Sequence, residues 1–185
     1  NSGALTKFQS IEMPGNPGAM VFSKDKKHFY VAMQTGVGKE RGWGISTLTR
    51  DQRQRWRVIG TAKAPMRAPY LAVDATKSFV LAAHYGDGKV TVQRIVNGIV
   101  TDEVTDMHTT EVTAHCIELD ASNRFAYVPH TRPNKVYQFK FDAKAGKLTP
   151  NNPPFVNGPA TNKNFHMPRH IAFHPTLKMA FTSNE

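Results

Sequence analysis

A single cysteine, Cys116, cannot form an internal disulfide and leans the reading towards a reducing compartment. Long apolar runs are missing too. None approaches the roughly 18 residues of a membrane-spanning helix, so no membrane partner is expected. No Asn-X-Ser/Thr acceptor for glycosylation occurs. Helical periodicity is absent throughout, which leaves strands as the building material. Acidic residues are scarce: 14 Asp and Glu face 24 Lys and Arg, a formal charge of +10. Such a balance invites a nucleic-acid reading through counterion release, but the distribution argues against it. The basic residues are spread over turns and outer strands, with one denser stretch from Arg50 to Arg57, and no aromatic-plus-basic strand pair is present to stack bases. A solvated outer face, or attraction of a small anionic substrate, is expected instead. No short-range spacing such as His-Glu-X-X-His occurs among the histidines, so neither metal nor cofactor is expected.

What the chain does have is a repeat. Four segments share one frame: Pro17 to Met33, Arg67 to Ala83, Thr113 to Pro129, and the terminal segment that contains Met167-Pro-Arg-His-Ile-Ala-Phe-His-Pro175. Each reads as a strand, a polar turn and a second strand. The turns hold Lys24-Asp-Lys-Lys27, Asp74-Ala-Thr-Lys77, Asp120-Ala-Ser-Asn123 and His174-Pro-Thr176. Ala19, Pro69, His115 and Arg169 align, at spacings near fifty residues. A third strand such as Lys89–Ile95 or Lys135–Phe141 alternates apolar and polar residues, and a fourth follows turns at Asn97-Gly98 and Ala145-Gly146. Gly3-Ala-Leu-Thr-Lys-Phe aligns with Gly146-Lys-Leu-Thr-Pro as the same outer element. A period near fifty made only of strands marks β-propeller blades, here about four, cut approximately at 1–50, 51–97, 98–146 and 147–185.

Four blades would form an open arc with two bare sheet edges, so the chain is expected to be part of a longer one, completed by further blades or by a second copy. Asn1 falls within a blade pattern, so any leader would precede it. A cytoplasmic location is expected, a periplasmic one being the alternative.

The first strand of each blade lines the channel, so an aligned position forms a ring at one height, and His115 and Arg169 become neighbours. The second strand ends in Gln34, His84, His130 and Asn184, followed by Thr35, Tyr85, Thr131 and Glu185. Both sets lie at one mouth, where His115, Arg169 and Glu185 are able to converge.

The order and spacing of Gly3-Ala-Leu-Thr, Val73-Asp74, Tyr85-Gly-Asp-Gly-Lys-Val-Thr-Val92, Ala114-His115, Pro168-Arg-His-Ile-Ala-Phe-His-Pro175 and Ser183-Asn-Glu185 resemble the lactonase family of seven-bladed β-propellers, across essentially the whole chain. That family includes bacterial 6-phosphogluconolactonases and a fungal carboxymuconate-lactonizing enzyme. The resemblance implies a pocket built from His115, Arg169 and Glu185, with a further Arg beyond Glu185. It also implies a hydrolase of the pentose phosphate pathway that opens 6-phosphoglucono-1,5-lactone. A lactonizing cycloisomerase and a non-catalytic interaction platform are the alternatives. Met167 stands where the family often has Gly, and the loop Gly36–Gly44 is longer than expected.

Lactone opening needs a base beside a water and a cation for the developing oxyanion. His115 or Glu185 suits the first role and Arg169 the second. His84, Tyr85, His130 and Arg132 are candidates for substrate binding, with packing as the alternative role. His170 and His174 read as packing and turn residues. Strand alternation turns Cys116 away from the channel, as a buried thiol. Gly36-Val-Gly-Lys39 lacks the spacing of a phosphate loop and reads as a flexible connection.

Overall fold

The repeats become antiparallel sheets in a computed structural model that describes residues 3–161 and 164–185. The first sheet runs β1 (Asn16–Phe22), β2 (His28–Thr35), β3 (Gly42–Arg50) and β4 (Trp56–Ala64), each strand pairing with the next. The second repeats that order with β5 (Tyr70–Val73), β6 (Phe79–His84), β7 (Lys89–Val96) and β8 (Ile99–Thr109). The third holds β9 (Glu118–Leu119), β10 (Phe125–His130), β11 (Lys135–Asp142) and β12 (Lys147–Asn157). A short ribbon, β13 (Ala160–Thr161) with β14 (Asn164–Phe165), leads into the hairpin of β15 (Pro168–Phe173) and β16 (Ala180–Asn184). One 3-10 turn, Gly38–Glu40, is the sole helical element among the described residues. The chain is all-β, and its sheets are the blades of a partial propeller.

Why the pattern stacks the sheets is plainest in β6, where every residue is buried. Successive side chains on a strand point to opposite faces. Phe79, Leu81 and Ala83 therefore enter a core shared with Ile117, Ala126 and Phe139 of the third sheet. Val80 and Ala82 enter another, shared with Tyr30, Ala32 and Ile45 of the first. A sheet that is apolar on both faces has to be sandwiched, and repeating that demand gives the radial stack. Cys116, Val136 and Ile171 form the equivalent core between the third and fourth units.

At the hairpin turns the units are tied by polar contacts. Lys77 Nζ lies 2.8 Å from Asp25 Oδ2, and Ala75 N donates to Asn123 Oδ1 at 2.8 Å. Asp74 is wholly buried, and its carboxylate accepts from the amides of Thr76, Ser78 and Phe79, the Thr76 hydroxyl and Asn123 Nδ2.

Two expectations change. Cuts near 50, 97 and 146 place each fourth strand at the head of the following unit, whereas hydrogen bonding joins β4, β8 and β12 to the strands before them. Residues 3–13, aligned with the start of β12, form no strand. Gln9 holds this segment by exchanging two hydrogen bonds with the Trp56 backbone, and Ile11 and Met13 pack beside Val31, Met33 and Leu48.

Candidate active site

The aligned ring survives in three dimensions. Ala19, Pro69, His115 and Arg169 all line one cavity of about 670 Å3 at the mouth. An adjoining cavity of about 390 Å3 is lined by Arg67, Pro69, Tyr85, Asp87, His115, Arg169 and Glu185, among others. His115, Arg169 and Glu185 are thus brought together. Among the described residues no ion pair joins Arg169 to Glu185.

His115 is positioned by the turn from the preceding blade. Thr113 takes the left-handed backbone conformation, φ +69°, rare for a β-branched residue. Three hydrogen bonds hold it there: its amide donates to Tyr85 O at 2.6 Å, its carbonyl accepts from Thr131 N, and its hydroxyl accepts from Arg132 N. Gly88, φ +61°, lets the Tyr85–Gly88 turn lie against this segment, since an added Cβ would sit 2.7 Å from Val112 N. His115 N then donates to Pro129 O at 3.0 Å. The ring meets Tyr85 edge-on at 5.8 Å and His170 at 4.9 Å. Partial burial, then the charges of Arg169 and His170, push the imidazole pKa down, and Glu185 opposes them. His115 is therefore a neutral imidazole at neutral pH, and its Nδ1 is buried without a hydrogen-bond partner among the described residues.

Arg169 is held by a hub on the third blade. Asn134, itself at φ +56°, accepts from Met167 N through Oδ1 at 2.9 Å and donates through Nδ2 to the carbonyls of Gly158 and Pro159. Met167 O accepts from Glu185 N at 3.1 Å, so the same residue carries both Arg169 and Glu185. Met167 sits at φ +48°, which supplies a physical reason for Gly at this place in the family. Arg169 Nε, like His115 Nδ1, is buried with no partner among the described residues.

Of the proposed substrate-binding residues, Tyr85 lines the site, but His84 and His130 do not. Each turns back into its blade and is buried. His84 Nδ1 donates to Arg67 O at 3.0 Å, leaving Nε2 to accept from the Thr91 hydroxyl at 2.8 Å. His130 Nδ1 donates to Val128 O and Nε2 accepts from the Thr110 hydroxyl, both at 2.9 Å. With both nitrogens engaged, these rings brace the segments that lead into the next first strand. Burial lowers both pKa values, that of His130 to about 4. Arg132 is exposed, its backbone amide engaged with Thr113, and it lines neither mouth cavity. Cys116 is wholly buried, and burial pushes its thiol up to about 12. His170 abuts His115, and His174 Nδ1 accepts from Thr176 N and Leu177 N inside its turn. The Gly36–Gly44 connection is compact rather than open, because β2 and β3 stay paired to Thr35↔Gly42 and the 3-10 turn closes the tip.

Sequence reasoning missed Arg67, Arg41, Asp87 and Asn134. Arg67 was within reach, since it precedes the ring position by two residues, as Thr113 and Met167 do. Among the described residues no group of three or more His, Cys, Asp or Glu side chains is placed to hold a metal ion.

The family model for "Lactonase, 7-bladed beta-propeller" matches residues 1–185. The chain belongs to that lactonase family. Among curated relatives, the 6-phosphogluconolactonase of Erwinia tasmaniensis is 28% identical over 186 residues, covering 100% of this chain and 53% of that protein. The 6-phosphogluconolactonase of Yersinia enterocolitica is 27% identical, covering 100% of this chain and 52% of its own. This lactonase-family chain spans about half the length of the curated relatives it matches. Among solved structures, the periplasmic gluconolactonase of Pseudomonas aeruginosa aligns with a TM-score of 0.77 at 16% identity, covering 97% of this chain and 53% of that one. The Cps50 (Swd1) β-propeller domain of Myceliophteria thermophila aligns with a TM-score of 0.63 at 14% identity, covering 91% and 50%. Likeness at such identities speaks for the fold alone.

Proposed function

We infer that the full-length protein hydrolyses a sugar lactone, 6-phosphoglucono-1,5-lactone, at this mouth. The observation that carries the reading is the convergence of His115, Arg169 and Glu185 on one cavity. The names of the curated relatives support the substrate. A neutral imidazole is the form that accepts a proton, and depression of its pKa by burial, Arg169 and His170 keeps it neutral at physiological pH. In this reading His115 takes a proton from water as the water oxygen bonds to the lactone carbonyl carbon. Arg169 faces the oxygen that gains negative charge. Glu185 favours the imidazolium that forms. The ring C–O bond then breaks, and the proton passes from His115 to the departing ring oxygen, leaving the open-chain acid.

The test is lactone opening by the full-length protein, with spontaneous hydrolysis subtracted. Arg169→Ala and His115→Ala should each lower kcat/KM by about 10²–10⁴-fold while both variants stay folded. A folded wild-type protein with no rate above background would reject the reading.

A further inference from the structure

Charge is divided unevenly across the mouth. Three arginines, Arg41, Arg67 and Arg169, line the larger cavity, and no Asp or Glu does. Among the described residues none of these guanidinium groups has an ion-pair partner. The two carboxylates of the mouth, Asp87 and Glu185, lie in the adjoining cavity, on the side of Tyr85. Arg67 and Arg169 border both cavities, whereas Arg41 borders only the larger one; Arg41 and Arg67 are exposed, and the three guanidinium groups together give the larger cavity a positive potential that favours a bound anion.

The backbone delivers two of them with care. Arg41 follows a tip in which Gly36, φ +64°, is indispensable, because an added Cβ would lie 2.3 Å from Glu40 O. Past Arg41 the β2/β3 register is fixed, with Gly42 opposite Thr35 and Trp43 opposite Gln34. Trp43 lines the same cavity, giving it an apolar wall. Arg67 is set by the buried His84, whose Nδ1 holds its carbonyl at 3.0 Å. On the first blade Pro17, Gly18 and Ala19 line the cavity with little bulk, leaving room for a group beyond the reacting carbonyl.

We propose that Arg41 and Arg67, walled by Trp43, form a phosphate subsite that selects a phosphorylated sugar lactone and directs its carbonyl towards His115 and Arg169. The orientation of the carbonyl rests on the lactone reading above; the phosphate subsite does not. Planar guanidinium forks match phosphate oxygens in pairs, so each is worth about tenfold in selectivity.

The test uses full-length wild type, Arg41→Gln, Arg67→Gln, the double variant, and Arg41→Lys, which keeps the charge without the fork. The readout is the ratio of kcat/KM on 6-phosphogluconolactone to kcat/KM on unphosphorylated gluconolactone. That ratio should fall about tenfold in each Gln variant and about a hundredfold in the pair, chiefly through KM, with Arg41→Lys between. An unchanged ratio in the double variant overturns the subsite. If wild type opens neither lactone, calorimetric titration with 6-phosphogluconate and with gluconate decides it separately. A preference for the phosphorylated ligand that the double variant loses would keep the subsite while the lactone reading falls; no preference, or one the double variant retains, would overturn the subsite as well.

Discussion

The two ends of the same hairpins have opposite characters. At the turn end, Asp74 is buried with its carboxylate fully engaged, Asn123 reaches across to the Asp74-Ala75 turn, and Lys77 meets Asp25. At the mouth, His115 Nδ1 and Arg169 Nε have no partner among the described residues, whereas left-handed backbone occurs at both ends, at Lys26, Lys77 and Asn123 in the turns and at Thr113 and Met167 here. Four-strand repetition fixes both ends to the same geometry, so the difference lies in which residues occupy equivalent places. One end satisfies its polar groups and holds blade to blade. The other leaves buried polar atoms unpartnered among the described residues in side chains that line a cavity, which costs stability.

The sharpest way to separate the ends is to break the turn. Asp74→Ala strips the acceptor from three backbone amides, two of them closing the turn into β6. A buried amide left unpaired costs about 1–3 kcal/mol, so a loss of about 4 kcal/mol in unfolding free energy is expected. Denaturant unfolding measures it, and the folded fraction should keep the wild-type kcat on whichever lactone is turned over. A large fall in kcat with little change in stability would mean that the two ends are coupled.

A second contrast sets the braced His130 against the cavity-facing His115. His130 titrates near 4 in the native state, because burial disfavours its charge, but near 6.5 once unfolded. Between those values the unfolded chain binds a proton that the native chain does not, so stability falls as pH falls from about 6.5 to about 4. The loss from this residue alone is on the order of 3 kcal/mol, and none is added below that window. Urea midpoints at pH 7 and pH 4.5 should differ less in His130→Gln than in wild type. An equal difference in the two proteins would count against a neutral, buried His130.

How much of this was legible in the sequence follows from what each feature depends on. Blade repeats and the ring of Ala19, Pro69, His115 and Arg169 rest on period and alternation, which sequence carries directly. The direction taken by His84 and His130 does not. A residue at the end of a strand is free to face the mouth or to turn back, and partners brought close by folding decide it, Arg67 O and Thr91 Oγ1 for His84, Val128 O and Thr110 Oγ1 for His130. Asn134 was invisible for the same reason, since it gathers Gly158, Pro159 and Met167 from up to 33 residues away. The cut at 97 falls at Asn97-Gly98, a turn that joins two paired strands of one sheet.

Met167 offers the smallest effect and the finest test of the strained mouth. Its φ of +48° places Cβ against its own carbonyl, at a cost of about 1 kcal/mol that glycine avoids. Met167→Gly should therefore raise the unfolding free energy by about 0.5–1 kcal/mol, the gain being trimmed by the greater freedom of glycine in the unfolded chain. Met167→Ala separates strain from packing, because it keeps the Cβ and loses the rest of the side chain. Alanine should be no more stable than methionine if strain is what glycine relieves. If alanine and glycine stabilise equally, the side chain rather than the backbone carries the cost.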